Sequence, residues 1–149
     1  MSNTNYFKEL QIAVSPNVVF KVITTEIDKW WTVHSNVANK LNDRLTVRFG
    51  ETTVKEMLIT ELEENQNLTW KVTKAFIDIK ELSKKDEWVN TEIKWTIKAT
   101  DKGSQINFVH IGLTSEFECY NACKGGWNFF LNSLKQYLET GKGNPYIPE

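Results

Sequence analysis

The side chains best suited to acid–base chemistry in this chain are its two histidines, His34 and His110, because an imidazole can donate, accept and titrate near neutral pH. His110 shares the parity of Phe108 in an alternating segment, so it should point inward. A general base also needs a positioned partner, yet Glu92 falls on the outer face by the same count. We therefore interpret His110 as a hydrogen-bonded histidine in an interior wall, with ligand contact and catalysis as alternatives, and His34 as a surface residue.

Two cysteines, Cys119 and Cys123, stand four residues apart in a segment predicted to be helical. Side chains at this spacing share a helix face but are poorly placed for an unstrained disulfide, so we expect reduced thiols and a cytoplasmic protein. A metal site made by both thiols with His110 is an alternative, although Cys-x3-Cys with a distant histidine lacks the usual zinc spacing. We expect neither a metal nor a cofactor.

Other chemically suggestive residues have simpler explanations. The acidic pairs Glu63-Glu64 and Asp86-Glu87 fall in predicted turns, where we interpret them as solvated. Ser133 lies within a predicted helix and has no Gly-x-Ser-x-Gly elbow around it. Gly125-Gly126 lacks the Lys-Ser or Lys-Thr that follows the glycines of a phosphate-binding loop. The sequence therefore predicts no catalytic residue.

The composition is that of one globular domain, 1–149, with a roomy aromatic interior. A chain of 149 residues buries roughly 70% of its unfolded surface, and six Trp and eight Phe supply large side chains that shape cavities. The net charge is -1 and no basic stripe is present, which argues against nucleic acid as a partner. The polar N-terminus lacks the features of a secretory signal, and no stretch approaches the roughly 20 apolar residues of a membrane span.

Up to residue 113 the chain alternates between strand and helix patterns. Period-two segments predict β-strands over 6–14, 44–49, 53–63, 68–73, 88–100 and 105–113. Ser15 and Pro16 predict the start of a first helix, and a second short helix is expected over 26–31. Trp30 and Trp31 are adjacent and cannot share one helical stripe, so we expect one to pack inward and the other to cover an entrance.

The last third predicts a long amphipathic helix that closes the fold. Ser115-x-x-Glu118 has the pattern of a capping box, and Gly141 should end the helix. Gly125-Gly126 should kink or interrupt it, because each glycine costs about 1 kcal/mol relative to alanine in a helix. A curved antiparallel sheet closed by such a helix is an α+β container, which is typical of proteins that hold small apolar molecules.

Five segments carry a resemblance to a known superfamily. They are Ser15-Pro16-x-x-Val19-Phe20, Trp30-Trp31, Asn90-Thr91-Glu92-Ile93-Lys94-Trp95, Phe108-x-His110-x-Gly112-Leu113 and Trp127-x-x-Phe130-Leu131-x-Ser133-Leu134-Lys135-x-Tyr137-Leu138-Glu139-Thr140-Gly141-Lys142-Gly143. In this order the chain resembles the START-like or SRPBCC superfamily, which has the helix-grip fold of the birch pollen allergen. Within it, the chain is similar to the branch named after activators of a heat-shock chaperone ATPase, the AHSA type.

The resemblance implies a sheet wrapped around the last helix with a ligand cavity between them. The residues expected to line that cavity are Trp31, Trp70, Trp95, Phe108, His110, Trp127, Phe130 and Leu131. The leading hypothesis is non-enzymatic binding of a small hydrophobic molecule. One alternative is a protein-interaction module or chaperone accessory, with a chaperone or a second copy of the chain as partner. Another is a cyclase-type enzyme, since fold alone does not fix activity.

Overall fold

The computed structural model describes residues 4–148, and the polar start of the chain, Met1–Asn3, lies outside them. Within that range the chain forms six strands, two α-helices and one 3-10 turn. The elements are β1 (Tyr6–Ile12), α1 (Pro16–Thr25), the 3-10 turn (Ile27–Lys29), β2 (Arg44–Phe49), β3 (Thr53–Glu63), β4 (Asn67–Phe76), β5 (Glu92–Thr100), β6 (Gly103–Ile111) and α2 (Tyr120–Thr140). Among these residues, no helix is both long and apolar enough to cross a membrane.

The six strands form one open antiparallel sheet in the order β1-β6-β5-β4-β3-β2. The first strand therefore pairs with the last, the remaining strands follow β6 in reverse sequence order, and β1 and β2 form the two edges of the sheet. The β3–β4 pairing shifts register twice, between Glu56 and Met57 and between Ile59 and Glu61. Such irregularities increase twist and bend a sheet, so the longest hairpin contributes to the curvature that wraps the sheet around α2. The predicted α+β helix-grip architecture is confirmed.

Strict alternation fixes which side chains of β5 and β6 face the interior. Ile106, Phe108 and His110 of β6 are buried, while the residues between them are half-exposed. In β5, Ile93 and Trp95 follow the same rule. Neighbouring side chains of a strand point to opposite faces. Once one inward residue is known, every second residue from it must also point inward. The predicted inward position of His110 is confirmed.

The second predicted helix is only one 3-10 turn. The helical geometry ends at Trp30, whose φ of -135° lies outside the helical range, so Trp30 and Trp31 are not held on one helical stripe. Both indoles are buried, and their rings stack at 5.7 Å. Trp30 packs inward, as predicted for one of the pair, but the prediction that the other covers an entrance was wrong, because Trp31 is only 2% exposed.

Strand β5 begins four residues later than predicted, at Glu92. Residues 88–91 form a turn instead, in which the Thr91 amide donates to the Trp88 carbonyl at 3.0 Å. Asn90 adopts a left-handed φ of 73° there, a conformation that asparagine tolerates better than most residues. The turn places Trp88 under the sheet rather than along its edge, and the residue is buried.

The last helix begins at Tyr120, and its N-terminus is capped from a distant loop. The Glu87 carboxylate accepts hydrogen bonds from the amides of Glu118 and Cys119 at 3.1 and 3.2 Å. Glu118 accepts instead from the loop 83–84, including the Lys84 amide at 2.7 Å, so the predicted capping box was wrong. Glu87, interpreted from sequence as solvated, fixes the start of the helix.

Replacing Glu87 with alanine should lower the free energy of unfolding by about 1 kcal/mol, the usual effect of losing a helix cap. Urea denaturation followed by circular dichroism measures it. Asp86→Ala is the matched control, because Asp86 is exposed. Equal stability of the two variants would contradict the capping role.

Candidate functional site

A pocket of about 130 Å3 lies between the inner face of β3, the segment after β4 and the first half of α2. Its walls are mainly aromatic and aliphatic. The lining residues are Trp31, Phe49, Thr53, Lys55, Ile77, Ile79, Trp88, Ala122, Cys123, Gly126, Trp127 and Phe130. Ala122 is exposed and Phe49 and Phe130 are half-exposed, so the pocket has a rim at the protein surface and a buried floor.

Stacked indoles form the floor of the pocket. Trp88 and Trp127 lie nearly parallel, with ring centroids 5.7 Å apart and an interplanar angle of 11°. Trp127 contacts Trp31 at 5.0 Å, and Trp31 stacks on Trp70 at 5.9 Å. Such arrangements stabilise beyond the area they bury, so the floor is a rigid aromatic surface continuous with the core.

The structure divides the eight predicted cavity residues into two groups. Trp31, Trp127 and Phe130 line the pocket. The other five, Trp70, Trp95, Phe108, His110 and Leu131, are at most 1% exposed and pack in the core beneath it. Rings within this second group pack closely, as the 4.7 Å separation of the Trp95 and Phe108 centroids illustrates. Ligand contact by any of the eight residues stays a prediction.

Both ring nitrogens of His110 are held by neighbours. Nδ1 accepts from the Trp127 indole N–H at 3.1 Å, and Nε2 lies 2.8 Å from Thr91 Oγ1. The Thr91 hydroxyl donates its single proton to the Trp88 carbonyl at 2.6 Å. Since a hydroxyl has only one proton to give, Nε2 must be the donor to Thr91. His110 is therefore the neutral tautomer with the proton on Nε2.

This environment opposes protonation of His110. Burial, with a smaller contribution from the positive charge of Lys55, lowers its pKa to about 3. A proton on Nδ1 would also oppose the indole N–H of Trp127. His110 therefore links β6 to α2 and to the turn at Trp88, and this environment disfavours a role as a general base. The hydrogen-bonded histidine predicted from the sequence is confirmed, although Trp88 and Trp127, rather than His110, line the pocket.

Lys55 is the residue that sequence reasoning missed. It lies on β3 in the same parity as Met57 and Ile59, which are fully buried. Its Nζ sits over two rings, 4.2 Å from the centroid of Trp88 and 4.7 Å from that of Phe49. Burial lowers the pKa of Lys55 to about 8, against the smaller raising effect of the neighbouring cysteines. The alternating pattern of β3, which places Lys55 on the same face as Met57 and Ile59, could have identified this residue from the sequence.

The two cysteines are free, buried thiols at the start of α2. The Trp88 indole N–H donates to Cys123 Sγ at 3.3 Å. A hydrogen bond from Cys119 lowers the pKa of Cys123, with further lowering by Trp88 and Lys55, while the same pairing raises the pKa of Cys119. Within residues 4–148, no three His, Cys, Asp or Glu side chains form a group that could hold a metal.

The glycine pair leaves α2 intact and opens space beside it. The helix continues through Gly125 and Gly126 to Thr140, so of the two predicted outcomes, a kink or an interruption, the interruption was wrong. A Cβ built at either glycine would meet no other heavy atom of residues 4–148 within 4 Å, apart from its chain neighbours and its own helix backbone. Gly126 lines the pocket and Gly125 does not. The packing of the rest of α2 sustains the helix across the two positions.

The fold and its single long closing helix define a helix-grip domain with a small aromatic pocket. The sequence model of the family described as Activator of Hsp90 ATPase homolog 1-like protein matches residues 13–139. The chain belongs to this family. No protein of curated function matches it.

Solved structures agree with this assignment. The solution structure of the Aha1 dimer from Colwellia psychrerythraea superimposes with a TM-score of 0.78 at 25% identity, covering 94% of this chain and 99% of that one. The crystal structure of SSP2350 from Staphylococcus saprophyticus gives 0.73 at 18% identity, with 97% and 100% covered. That of MLL2253 from Mesorhizobium loti gives 0.73 at 18% identity, with 91% and 96% covered. The last two show the shared fold.

Proposed function

We propose that this protein binds a small, largely apolar molecule in the pocket between β3, Trp88 and α2. The observation that carries the proposal is Gly126. A helix facing a packed core would gain stability from a side chain at this position, yet the glycine leaves a gap that Trp88 and Trp127 border. Binding there would remove apolar ligand surface from water, at about 25 cal/mol per Å2.

The size of the pocket limits the ligand. An apolar cavity of roughly 150 Å3 is large enough to hold benzene, and this pocket measures about 130 Å3. A single aromatic ring or a short branched aliphatic group fits that space. A sterol or a long-chain lipid would have to extend past the rim at Ala122.

The chemistry of the site supports binding rather than catalysis. His110 uses both nitrogens in hydrogen bonds and does not reach the pocket. The remaining polar lining groups, Thr53, Lys55 and Cys123, include no carboxylate that could pair with a base. The free thiols of Cys119 and Cys123 agree with the cytoplasmic location that we propose.

Filling the pocket tests the function directly. Gly126→Leu should weaken the binding of toluene or indole by at least roughly tenfold, which corresponds to about 1.4 kcal/mol, because the new side chain occupies the ligand's space. Gly125→Leu is the matched control, since it gains a similar helix propensity at an exposed position outside the pocket. Calorimetry and ligand-observed NMR measure the affinities.

Two results would count against the proposal. One is equal binding by the Gly126→Leu and Gly125→Leu proteins. The other is a panel of single-ring and short aliphatic compounds that leaves both the tryptophan fluorescence and the melting temperature of the natural protein unchanged.

A second candidate function is contact with a protein partner, either a chaperone or a second copy of this chain. The family description names activators of the Hsp90 ATPase, and the similar structure from Colwellia psychrerythraea is a dimer. Trp30 and Trp31 are buried, so the contact would use other side chains, such as Phe129 of α2, which is 55% exposed. Sedimentation of the purified protein and its capture on immobilised Hsp90 distinguish the two partners.

A further inference from the structure

We propose that the molecule bound in this pocket carries one carboxylate group, which pairs with the ammonium group of Lys55. This inference rests on the proposed function and specifies the class of ligand. The relevant geometry is an ammonium group that lies on an apolar floor. Lys55 Nζ lies over the rings of Trp88 and Phe49, and of the residues lining the pocket only Lys55 is charged.

Lys55 has no carboxylate partner among residues 4–148. The ion pairs formed by residues 4–148 are Arg44–Glu56 and Lys135–Glu139, and no hydrogen bond from Lys55 Nζ occurs among those residues. Lys85 provides a contrast nearby, because its Nζ donates to the carbonyls of Ile79 and Leu82 at 2.6 and 2.9 Å. The three N–H donors of Lys55 are thus available to a ligand.

Packing alone does not require a charge at this position. Lys55 pairs across the sheet with Val47 of β2 and Ala75 of β4, and the next inward residue of β3, Met57, is fully buried. A methionine or leucine would cover the same floor without desolvating an ammonium group, which is unfavourable unless the charge is paired. Contact with two aromatic rings offsets only part of that cost.

The number of donors favours a carboxylate over a phosphate. Phosphate sites combine several cations or the free amides of a helix N-terminus. Here one lysine is present, and the amides of Glu118 and Cys119 at the start of α2 are already bound to Glu87. A single negative charge on a ring-sized apolar group matches both the charge and the volume of the pocket.

Benzoate and benzamide separate the charge of the ligand from its shape, since they share one ring and similar size. The natural protein at pH 7 should bind benzoate at least roughly tenfold more tightly than benzamide. Lys55→Met should abolish this preference and still bind benzamide, because methionine keeps the apolar stem. Lys71→Met, which neutralises an exposed lysine of β4, should retain the preference. Titration calorimetry gives the affinities, and circular dichroism verifies that each variant is folded.

Equal affinity of the natural protein for benzoate and benzamide would overturn the inference without any variant. A benzoate preference that survives in Lys55→Met would overturn it as well. In both cases binding of benzamide and toluene would leave the proposed function standing. Binding of none of the three compounds would instead refute the proposed function, and the carboxylate assignment with it.

Discussion

Replacing Trp127 with alanine should lower the free energy of unfolding by about 4 kcal/mol, within the range for truncating a large buried aromatic residue. The indole is 2% exposed and contacts Trp88, Trp31 and Phe108 at centroid distances of 5.7, 5.0 and 4.5 Å. Its loss would also leave the acceptor of His110 without a donor inside the core, which carries its own penalty.

Urea denaturation of the natural protein and two variants measures the effect. Trp127→Phe retains an aromatic ring but not the indole N–H, so we expect it to be destabilised by about 2 kcal/mol, between the natural protein and Trp127→Ala. A loss below about 1 kcal/mol for Trp127→Ala would show that the surrounding rings can close the gap. The aromatic floor would then be more plastic than its stacking indicates.

Acidification should destabilise the protein through His110 well before most carboxylates titrate. The folded pKa of His110 is lowered to about 3 from 6.5, so between these values the unfolded chain binds a proton that the folded chain does not. Stability contributed by the neutral imidazole is therefore full above pH 6.5 and is lost as the pH falls. From this residue alone, the free energy of unfolding should drop by about 2 kcal/mol between pH 7 and pH 5.

The variant His110→Gln tests whether His110 causes this pH dependence of the unfolding free energy. Glutamine can still offer a donor and an acceptor to Thr91 and Trp127, but it does not titrate. Its unfolding free energy should change far less between pH 7 and pH 5, whatever its absolute stability. An unchanged slope would assign the pH dependence to other groups. Hydrogen bonds from Lys84 and Ser83 lower the pKa of Glu118 from 4.5. The effect of Glu118 on the pH dependence of stability therefore falls below the range from pH 7 to pH 5.

The strands and the closing helix were predictable because their patterns are local. In β6, alternation alone placed Phe108 and His110 inward. The errors arose where a distant contact decides the structure. The start of α2 depends on Glu87, which is 32 residues from Cys119 in sequence, and no local motif encodes that pairing. The predicted strand start at Trp88 failed because the turn there is held by the hydroxyl and amide of Thr91.

The pocket was less predictable than the fold. Parity assigned Trp95 and Phe108 to the inner face, but it does not tell whether inward rings leave a space or fill one. Six tryptophans form one connected network of ring contacts in the interior, and the pocket lies to one side of it, beside Gly126. Lys55 could have been found from the alternation of β3, where it breaks the apolar pattern set by Met57 and Ile59.

On the function that we propose, Gly126 sets stability against ligand binding in any engineered version of this protein. A search for more stable variants would replace Gly125 and Gly126 early, since each is free of steric conflict and helix-favouring substitutions commonly add stability. At Gly125 such a change would be harmless. At Gly126 a bulky side chain would fill the pocket that we propose as the binding site, so thermal screening by itself would select proteins that lack the proposed function.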